Sequence, residues 1–311
     1  MLPRATAIIA AYNAVNELPT SIAAALCQTD VQMEIVVADD ASSDETPALM
    51  AQYPEVSYFR LEQNGGPSAA RNAAIEAATG DWIAVLDADD TMTPGRLASM
   101  IAMAEDKNAD ILLGNFRRVD DKGRPIDDEA YLDPASLDAD TPLSIEDYVG
   151  HNQLAPGTQN WGYLKPLFRR DFLNRHAIRY DVGLRNSEDY HIILAAIMAG
   201  GRVFVSPEPD YLYRVAEGSI SHIVAPHLYQ ALMKAERAFA AALGSDVSPE
   251  LRRLLANRIH NLAILMHSEE VMFALKSHRP DRAVMALLRY PPAALRVVSQ
   301  LSEAAGKRMA P

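Results

Sequence analysis

The fold is indicated most clearly by the stretch Gly80-Asp81-Trp82-Ile83-Ala84-Val85-Leu86-Asp87-Ala88-Asp89-Asp90. Its apolar segment, 82–86, ends abruptly in three carboxylates, and an apolar run this short predicts a buried strand. The end of such a strand is where an open α/β sheet binds its ligands. Because clustered carboxylates repel one another unless a cation lies between them, the stretch predicts a divalent ion held against a diphosphate.

Apolar runs alternate with helical patterns before this stretch. Strands are predicted at 5–11, 33–38 and 56–61, and helices at 18–26, from about 43 to 52, and at 68–78. Alternation of this kind predicts an α/β fold with a mostly parallel, doubly wound sheet. The polar clusters follow the strands, so they are expected together at one edge of that sheet.

The second half of the chain changes character. Residues 119–145 are rich in Asp and Pro and predict an exposed excursion. A helix is predicted at 187–199, with short strands at 203–205 and 210–215. From about Pro226 the chain is rich in Ala and Leu and predicted to be helical. We therefore expect a catalytic domain at 1–222 and a helical C-terminal appendage at 223–311.

The composition excludes several classes of protein. Of the 311 residues, 49% are hydrophobic and 23% charged, which is ordinary for a globular protein. The net charge of −12 argues against a nucleic-acid-binding protein. A single cysteine cannot form an internal disulfide, and neither a signal-peptide pattern nor a membrane-spanning apolar run is found. We expect a cytoplasmic protein.

The charge is unevenly distributed. Residues 272–311 contain seven Lys or Arg and only two acidic residues. The segments 282–289 and 293–301 have apolar faces edged with Arg. Two interpretations are open: an interfacial helix on an anionic membrane, at the cytoplasmic face of the inner membrane, or a helix packed on its own domain or on the partner of a homodimer.

Four motifs occur in a characteristic order: Ile8-Ile9-Ala10-Ala11-Tyr12-Asn13, Val36-Val37-Ala38-Asp39-Asp40-Ala41-Ser42-Ser43-Asp44, Asn64-Gly65-Gly66-Pro67-Ser68-Ala69-Ala70-Arg71-Asn72 and Leu86-Asp87-Ala88-Asp89-Asp90. Together they closely resemble family 2 glycosyltransferases, which have the GT-A fold. The resemblance is strong over 5–115 and looser over about 160–222. With the segment 160–170, the overall plan is similar to exopolysaccharide (succinoglycan-type) glucosyltransferases.

The resemblance implies an inverting transferase that uses a UDP-sugar, with glucose as the first donor expected, and a Mg²⁺ or Mn²⁺ ion. The chain lacks the Gln-x-x-Arg-Trp motif of processive synthases, so one sugar is expected per encounter. The acceptor is expected to be a lipid-linked oligosaccharide of exopolysaccharide or envelope synthesis. Two alternatives are open, a sugar nucleotidyltransferase and a non-catalytic nucleotide-sugar-binding protein. The former usually has a Gly-rich loop where Ala11-Tyr12-Asn13-Ala14 stands here.

The resemblance also implies the residues of the donor site. Asp89 matches the metal ligand, Asp87 the residue that reaches the ribose and shares the metal site, and Asp40 the acceptor of the uracil N3–H. Tyr12 would pack either on the base or in the core. Arg71 would neutralise the nucleotide or support Asp40, or it would form a surface ion pair. Asp90 is either part of the site or a cap. The nucleotide-binding set is Ala11, Tyr12, Asn13, Asp40, Arg71, Asp87 and Ala88.

A second acidic motif, Ser187-Glu188-Asp189, matches the element that supplies the general base of the family. Asp189 would take the proton of the attacking hydroxyl, with Glu188 binding the acceptor or supporting the site. The alternative is a helix start in which Ser187 is the N-cap and the acids occupy the first turn.

Four further residues are candidates for contacts with sugar or phosphate. Trp161 is expected to stack on a sugar or to pack in the core. Lys165 is expected to meet phosphate or to be solvated. Arg214 and His222 match a loop that closes over the donor, and His222 is also a candidate metal ligand.

Overall fold

The first part of the computed structural model, which describes residues 1–215, 226–244 and 247–309, alternates strands with helices. The strands are β1 (Arg4–Ala11), β2 (Gln32–Asp39), β3 (Ser57–Arg60) and β4 (Trp82–Val85). The helices between them are α1 (Leu18–Leu26), α2 (Thr46–Met50) and α3 (Pro67–Ala77). The predicted alternation is thus confirmed over this region.

The next part of the chain completes the sheet. Its strands are β5 (Thr91–Met92), β6 (Ile111–Val119), β7 (Pro125–Ala130), β8 (Lys165–Arg169) and β9 (Val203–Arg214). Its helices are α4 (Arg96–Asp106), α5 (Ile145–Gly150), α6 (Arg170–Arg175) and α7 (Glu188–Met198). The excursion predicted at 119–145 therefore contains a strand, β7.

The two short strands predicted at 203–205 and 210–215 are one strand, β9. Its pairing with β6 shifts register between Gly114, opposite Ser206, and Phe116, opposite Tyr211. The intervening residues include Pro207 and Pro209, which have no N–H to donate to a neighbouring strand. The prolines interrupt the apolar pattern, but the strand continues through the irregularity.

The sheet has nine strands in the order β3-β2-β1-β4-β8-β6-β9-β5, with β7 on β6. The first four strands are parallel, as is the β6–β9 pair. β8 lies antiparallel to both β4 and β6, and β5 is antiparallel to β9. The predicted α/β class is confirmed, but the sheet is mixed. The long connection from β4 to β8 lets β8 run antiparallel to β4, which the alternation of strands and helices does not predict.

The centre of the sheet is closely packed where β1 meets β4. Ala5, Ala7, Ile8 and Ile9 of β1 are fully buried. Just before β4, a Cβ on Gly80 would lie 2.7 Å from the backbone nitrogen of Thr6, so glycine permits the close approach. This packing fixes the register of β4 and hence the position of the carboxylates that follow it.

The chain divides into two compact units. The first consists of Met1–Tyr148 and Trp161–Ser219, and the second of Val149–Asn160 and Ile220–Pro311. The helices of the second unit are α8 (Pro226–Ala242), α9 (Pro249–Lys276), α10 (Pro280–Arg289) and α11 (Ala294–Met309). Among the residues described, no helix has the length and apolar character needed to cross a membrane. The sequence did not anticipate that residues 149–160 join the C-terminal helices.

A buried ion pair holds that segment in the second unit. The Arg258 Nε lies 2.7 Å from the Glu236 Oε1, and both side chains are almost fully buried. Arg258 also donates to the backbone carbonyl of Asn152. Because a charge left alone in such a site is strongly unfavourable, each partner depends on the other.

We predict that Glu236→Gln destabilises the second unit by about 3–5 kcal/mol, since the substitution leaves the Arg258 charge uncompensated. The measurement is urea denaturation followed by circular dichroism. The matched control is Glu250→Gln, which removes an exposed pair with Arg253 and is expected to change the free energy of unfolding by less than about 0.5 kcal/mol. Equal effects of the two substitutions would contradict the prediction.

Candidate active site

The parallel strands bring three of the predicted motifs to one edge of the sheet. Ala11, the last residue of β1, pairs with Asp39 of β2, and Ile8 pairs with Val85 of β4. Residues that follow these strands therefore lie side by side at their carboxyl ends, where open α/β sheets bind ligands. Ala11 itself is buried, and Ala88 is partly exposed.

Asp40 is tied to the glycine loop that precedes α3. Its Oδ1 and Oδ2 accept hydrogen bonds from the backbone N–H groups of Gly65 (2.7 Å) and Gly66 (2.8 Å). Gly66 has a φ of 86°, which glycine adopts without strain. Each carboxylate oxygen has a second lone pair, so Asp40 retains acceptor capacity while it shapes the loop.

Tyr12 and Asn13 form the turn after β1. The side chain of Tyr12 is 53% exposed, so the alternative of core packing is wrong and the ring is available for stacking. The Asn13 Oδ1 accepts from the backbone N–H of Ser43 at 2.8 Å, and the Asn13 N–H donates to the Ser42 Oγ at 2.8 Å. Asn13 thus fastens the turn to the loop after β2, a structural contact that the sequence did not reveal.

Arg71 joins the two acidic motifs. This buried side chain, on α3, donates from Nη2 to the Asp87 Oδ1 and from Nη1 to the Glu188 Oε1, both at 2.8 Å. Its Nη1 also lies 3.5 Å from the Asp189 Oδ1. Burial would lower the pKa of Arg71, but Asp189 and Asp87 outweigh it and raise that pKa. Because Arg71 is buried, the alternative of a surface ion pair is wrong.

Asp87 is held between two cations. Its second oxygen, Oδ2, lies 2.5 Å from the Nζ of Lys165, a buried residue at the start of β8. Burial raises the pKa of Asp87, but Lys165 and Arg71 outweigh it and hold that pKa well below its usual range. Lys165 is therefore not solvated. A lysine within an apolar strand segment is the signal for a buried partner, because an unpaired charge is rarely buried.

Asp89 and Asp90 have different environments. Asp89 is exposed and has no ion pair with any other described side chain. Nearby protein atoms reduce the hydration of its carboxyl group, and this effect and the charge of Asp87 raise its pKa. Asp90 is buried, accepting at 2.8 Å from both the Tyr211 hydroxyl and the Arg214 N–H. Burial and the charge of Asp87 raise the pKa of Asp90 to about 8. Asp90 thus anchors the acidic stretch to β9.

Glu188 and Asp189 occupy the first turn of α7, where the helix dipole favours negative charge. Ser187 occupies the N-cap position, so the predicted helix start is confirmed, but it has a left-handed φ of 58° and its side chain makes no capping hydrogen bond. Burial and the charge of Asp189 raise the pKa of Glu188, and Arg71 opposes that shift. The Asp189 Oδ1 is buried without a hydrogen-bond partner among the described residues.

The remaining candidates for sugar contacts are less clearly placed. Trp161 is buried, whereas Tyr163, two residues further on, is 41% exposed; the sequence did not identify it. Burial raises the pKa of Tyr163, an effect that the charge of Lys165 opposes and the charge of Glu188 reinforces. The Arg214 guanidinium faces Glu17 at 3.5 Å. His222 lies outside the residues that the structure describes.

The site fits a divalent ion whose other ligands come from a substrate. No group of three or more His, Cys, Asp or Glu side chains with metal-binding geometry occurs among the described residues. Mg²⁺ usually takes only one or two carboxylates and completes its shell with waters and substrate phosphates. Asp89 provides carboxylate oxygens that form no ion pair with a described side chain. The carboxylates of the cluster also outnumber its two cations, Lys165 and Arg71, so a further cation is electrostatically favoured there.

Comparisons with known proteins agree with this arrangement. Residues 6–155 match the model of the family "Glycosyl transferase family 2". The succinoglycan biosynthesis protein ExoO of Rhizobium meliloti (strain 1021) is 40% identical over 247 residues, which cover 79% of this chain and 70% of ExoO.

Two solved structures share the fold at low identity. S. aureus TarS 1-349 in complex with UDP-GlcNAc has a TM-score of 0.63 at 17% identity, covering 93% of this chain and 92% of that chain. The mannosyltransferase PcManGT from Pyrobaculum calidifontis, in complex with GDP-Man and Mn²⁺, has a TM-score of 0.58 at 19% identity, covering 98% and 81%. The GT-A-like architecture is thus confirmed, and the chain belongs to glycosyltransferase family 2.

Proposed function

We propose that the chain transfers glucose from UDP-glucose, with inversion, to a hydroxyl of a lipid-linked oligosaccharide in the cytoplasm. The succinoglycan role of ExoO, a relative at 40% identity, supports an exopolysaccharide or envelope glycan as the product. The complex of TarS with UDP-GlcNAc supports a UDP-sugar, although PcManGT is bound to GDP-Man, so the fold alone does not set the donor. The family excludes the nucleotidyltransferase alternative.

One observation carries the proposal. Arg71 contacts Asp87, which follows β4, and Glu188 and Asp189, which begin α7. These carboxylates come from the two motifs that the resemblance assigns to donor and acceptor chemistry, and they lie within one buried cluster. A transferase needs this proximity because the leaving diphosphate and the attacking hydroxyl react at the same carbon.

We propose Asp189 as the general base and Glu188 as its support. In direct displacement a carboxylate accepts the proton of the hydroxyl as that hydroxyl attacks the anomeric carbon. The Asp189 Oδ1 makes no hydrogen bond to a described residue, although it lies 3.5 Å from the Arg71 Nη1, so it retains acceptor capacity, which supports this role. Attack opposite the leaving diphosphate converts a UDP-α-sugar into a β-linkage.

On the donor side we propose that Tyr12 packs on the base and that Asp40, Arg71 and Asp87 hold the nucleotide. The exposed ring of Tyr12 and the remaining acceptor capacity of Asp40 support these roles. Asp89, with Asp87 beside it, would hold Mg²⁺ or Mn²⁺, which when bound supplies Lewis-acid stabilisation of the leaving diphosphate. Metal dependence is typical of the family.

For the sugars we propose Arg214 and an aromatic residue of the turn at Trp161–Tyr163. The buried ring of Trp161 offers less surface than the half-exposed ring of Tyr163, which supports Tyr163 as the contact. The proposed domains are 1–222 for catalysis and 223–311 for the helical appendage, with residues 149–160 of the former packed in the second compact unit.

We predict metal-dependent release of UDP from UDP-glucose, measured with Mg²⁺ or Mn²⁺ and abolished by a chelator. Asp89→Asn should lower the rate by about 100-fold or more, because it weakens the site that offsets charge on the diphosphate. The exposed Glu62→Gln serves as the control and should behave as the wild type. UDP release from no UDP-sugar, together with no metal-dependent binding of UDP, would count against the proposed function.

We predict that Asp189→Asn lowers transfer by about 10²–10⁴-fold, the usual contribution of a general base. UDP binding, measured by titration calorimetry, should be retained because Asp189 lies on the acceptor side. Asp171→Asn is the matched control, since Asp171 is also an acid in the first turn of a helix. If Asp189→Asn, like the control, leaves transfer unchanged, Asp189 is not the base.

A further inference from the structure

The second unit exposes a concentration of large apolar side chains. In α10, Ala283 and Ala286 pack in a buried cluster with Val271 and Ala274 of α9 and Val297 of α11. The opposite side of α10 is also apolar. The large apolar side chains exposed on α9, α10 and α11, here called the C-terminal apolar surface, are Phe273, Leu275, Val284, Met285, Leu288, Leu295, Val298 and Leu301.

This exposure is unusual for a folded surface. Leu288 is 69% exposed and Leu295 85% exposed, although exposing an apolar side chain to water is energetically unfavourable. Isolated apolar residues on a surface need no explanation, whereas clusters of them mark interaction sites. Val284 and Leu288 are four residues apart in α10, and Leu295 and Val298 are three apart in α11. Each pair therefore lies on one helix face.

Basic residues accompany the C-terminal apolar surface. Residues 272–302 contain five Lys or Arg and one acid, Asp281, in a chain whose net charge is −12. Asp281 is paired with Arg279 at 3.3 Å. Lys276, Arg282 and Arg289 are exposed, and no ion pair joins them to another described residue. The surface thus combines exposed apolar side chains with uncompensated positive charge.

The sequence left open a membrane, the chain's own domain or a homodimer partner. Ala283 and Ala286 show that one face of α10 packs within its own unit. For the exposed face, the charge discriminates between a membrane and a second copy of the chain. A two-fold symmetric dimer places a surface against its own copy, so the basic residues of both protomers would face one another. Anionic lipid headgroups instead neutralise these residues, and the acyl boundary accepts the apolar side chains. The complementarity favours a lipid surface over a second copy of the chain.

We propose that the C-terminal apolar surface docks on an anionic bilayer, with α10 and α11 lying in the interface. The proposal does not depend on which sugar or acceptor the first unit uses. It accounts for the exposed leucines of α10 and α11 and for Arg282 and Arg289 of α10, which have no ion pair with another described residue. It also requires no membrane-spanning segment.

The test uses the full chain and vesicles of phosphatidylcholine with or without about 30% phosphatidylglycerol, an anionic lipid. In a sedimentation assay we expect binding only to the anionic vesicles, and weaker binding at about 0.5 M NaCl because salt screens the basic residues. Leu288→Gln/Leu295→Gln should weaken binding by about tenfold or more. Arg282→Gln/Arg289→Gln should also weaken binding and reduce its salt dependence.

The control is Ile126→Gln/Val182→Gln, which replaces two exposed apolar residues of the first unit and should leave binding unchanged. Unchanged circular dichroism and UDP binding of each variant show that its fold is retained. Absence of binding to anionic vesicles, or equal binding by the Leu288→Gln/Leu295→Gln variant, would overturn the proposal. So would a dimer, detected by light scattering, that this variant dissociates.

Discussion

The buried guanidinium of Arg71 is the interaction on which the candidate site depends. It bonds to Asp87 and Glu188 at 2.8 Å and faces Asp189 at 3.5 Å. Without a cation at this position, carboxylates from two distant parts of the chain would repel one another in a poorly solvated site. Arg71 therefore makes it possible for the acidic end of β4 and the acidic start of α7 to share one cluster.

Lys165 extends the same principle. Its Nζ donates a hydrogen bond to the second oxygen of Asp87, while Asp90 accepts hydrogen bonds from the Tyr211 hydroxyl and the Arg214 N–H. Asp87 and Asp90 are thereby fixed by the protein, and Asp89 stays free at the surface. One stretch of three aspartates thus contains two that organise the site and one that is available to a ligand. The position of each aspartate in the stretch, and not only its charge, determines which of these two roles it has.

The sequence predicted much of the fold because the relevant information is local. Apolar runs define β1, β2 and β4, as predicted. The antiparallel entry of β8 and the joining of residues 149–160 to the second unit depend on contacts between residues far apart in sequence. The pattern of apolar and polar residues along the chain does not predict such long-range contacts. The same reason explains why the sequence did not predict the ion pairs that bury Arg71 and Lys165, and did not identify Tyr163.

The two units have physically different surfaces. The first gathers charge inside a cluster, where each cation is matched to a carboxylate. The second leaves Arg282 and Arg289 exposed together with apolar side chains on α10, and apolar side chains exposed on α11. An enzyme that modifies a lipid-linked acceptor would need both surfaces, one for chemistry and one for access to the lipid. They can be tested separately, because the substitutions that affect one do not touch the other.

The most direct test of the central claim is a double-mutant cycle of Arg71→Gln and Glu188→Gln, with the affinity for UDP and Mn²⁺ measured by titration calorimetry. If Arg71 couples the donor side to the acceptor side, the two substitutions should be non-additive, with an interaction energy of about 0.5–3 kcal/mol. Additivity within about 0.3 kcal/mol would contradict the account, because it would mean that the two sides act independently.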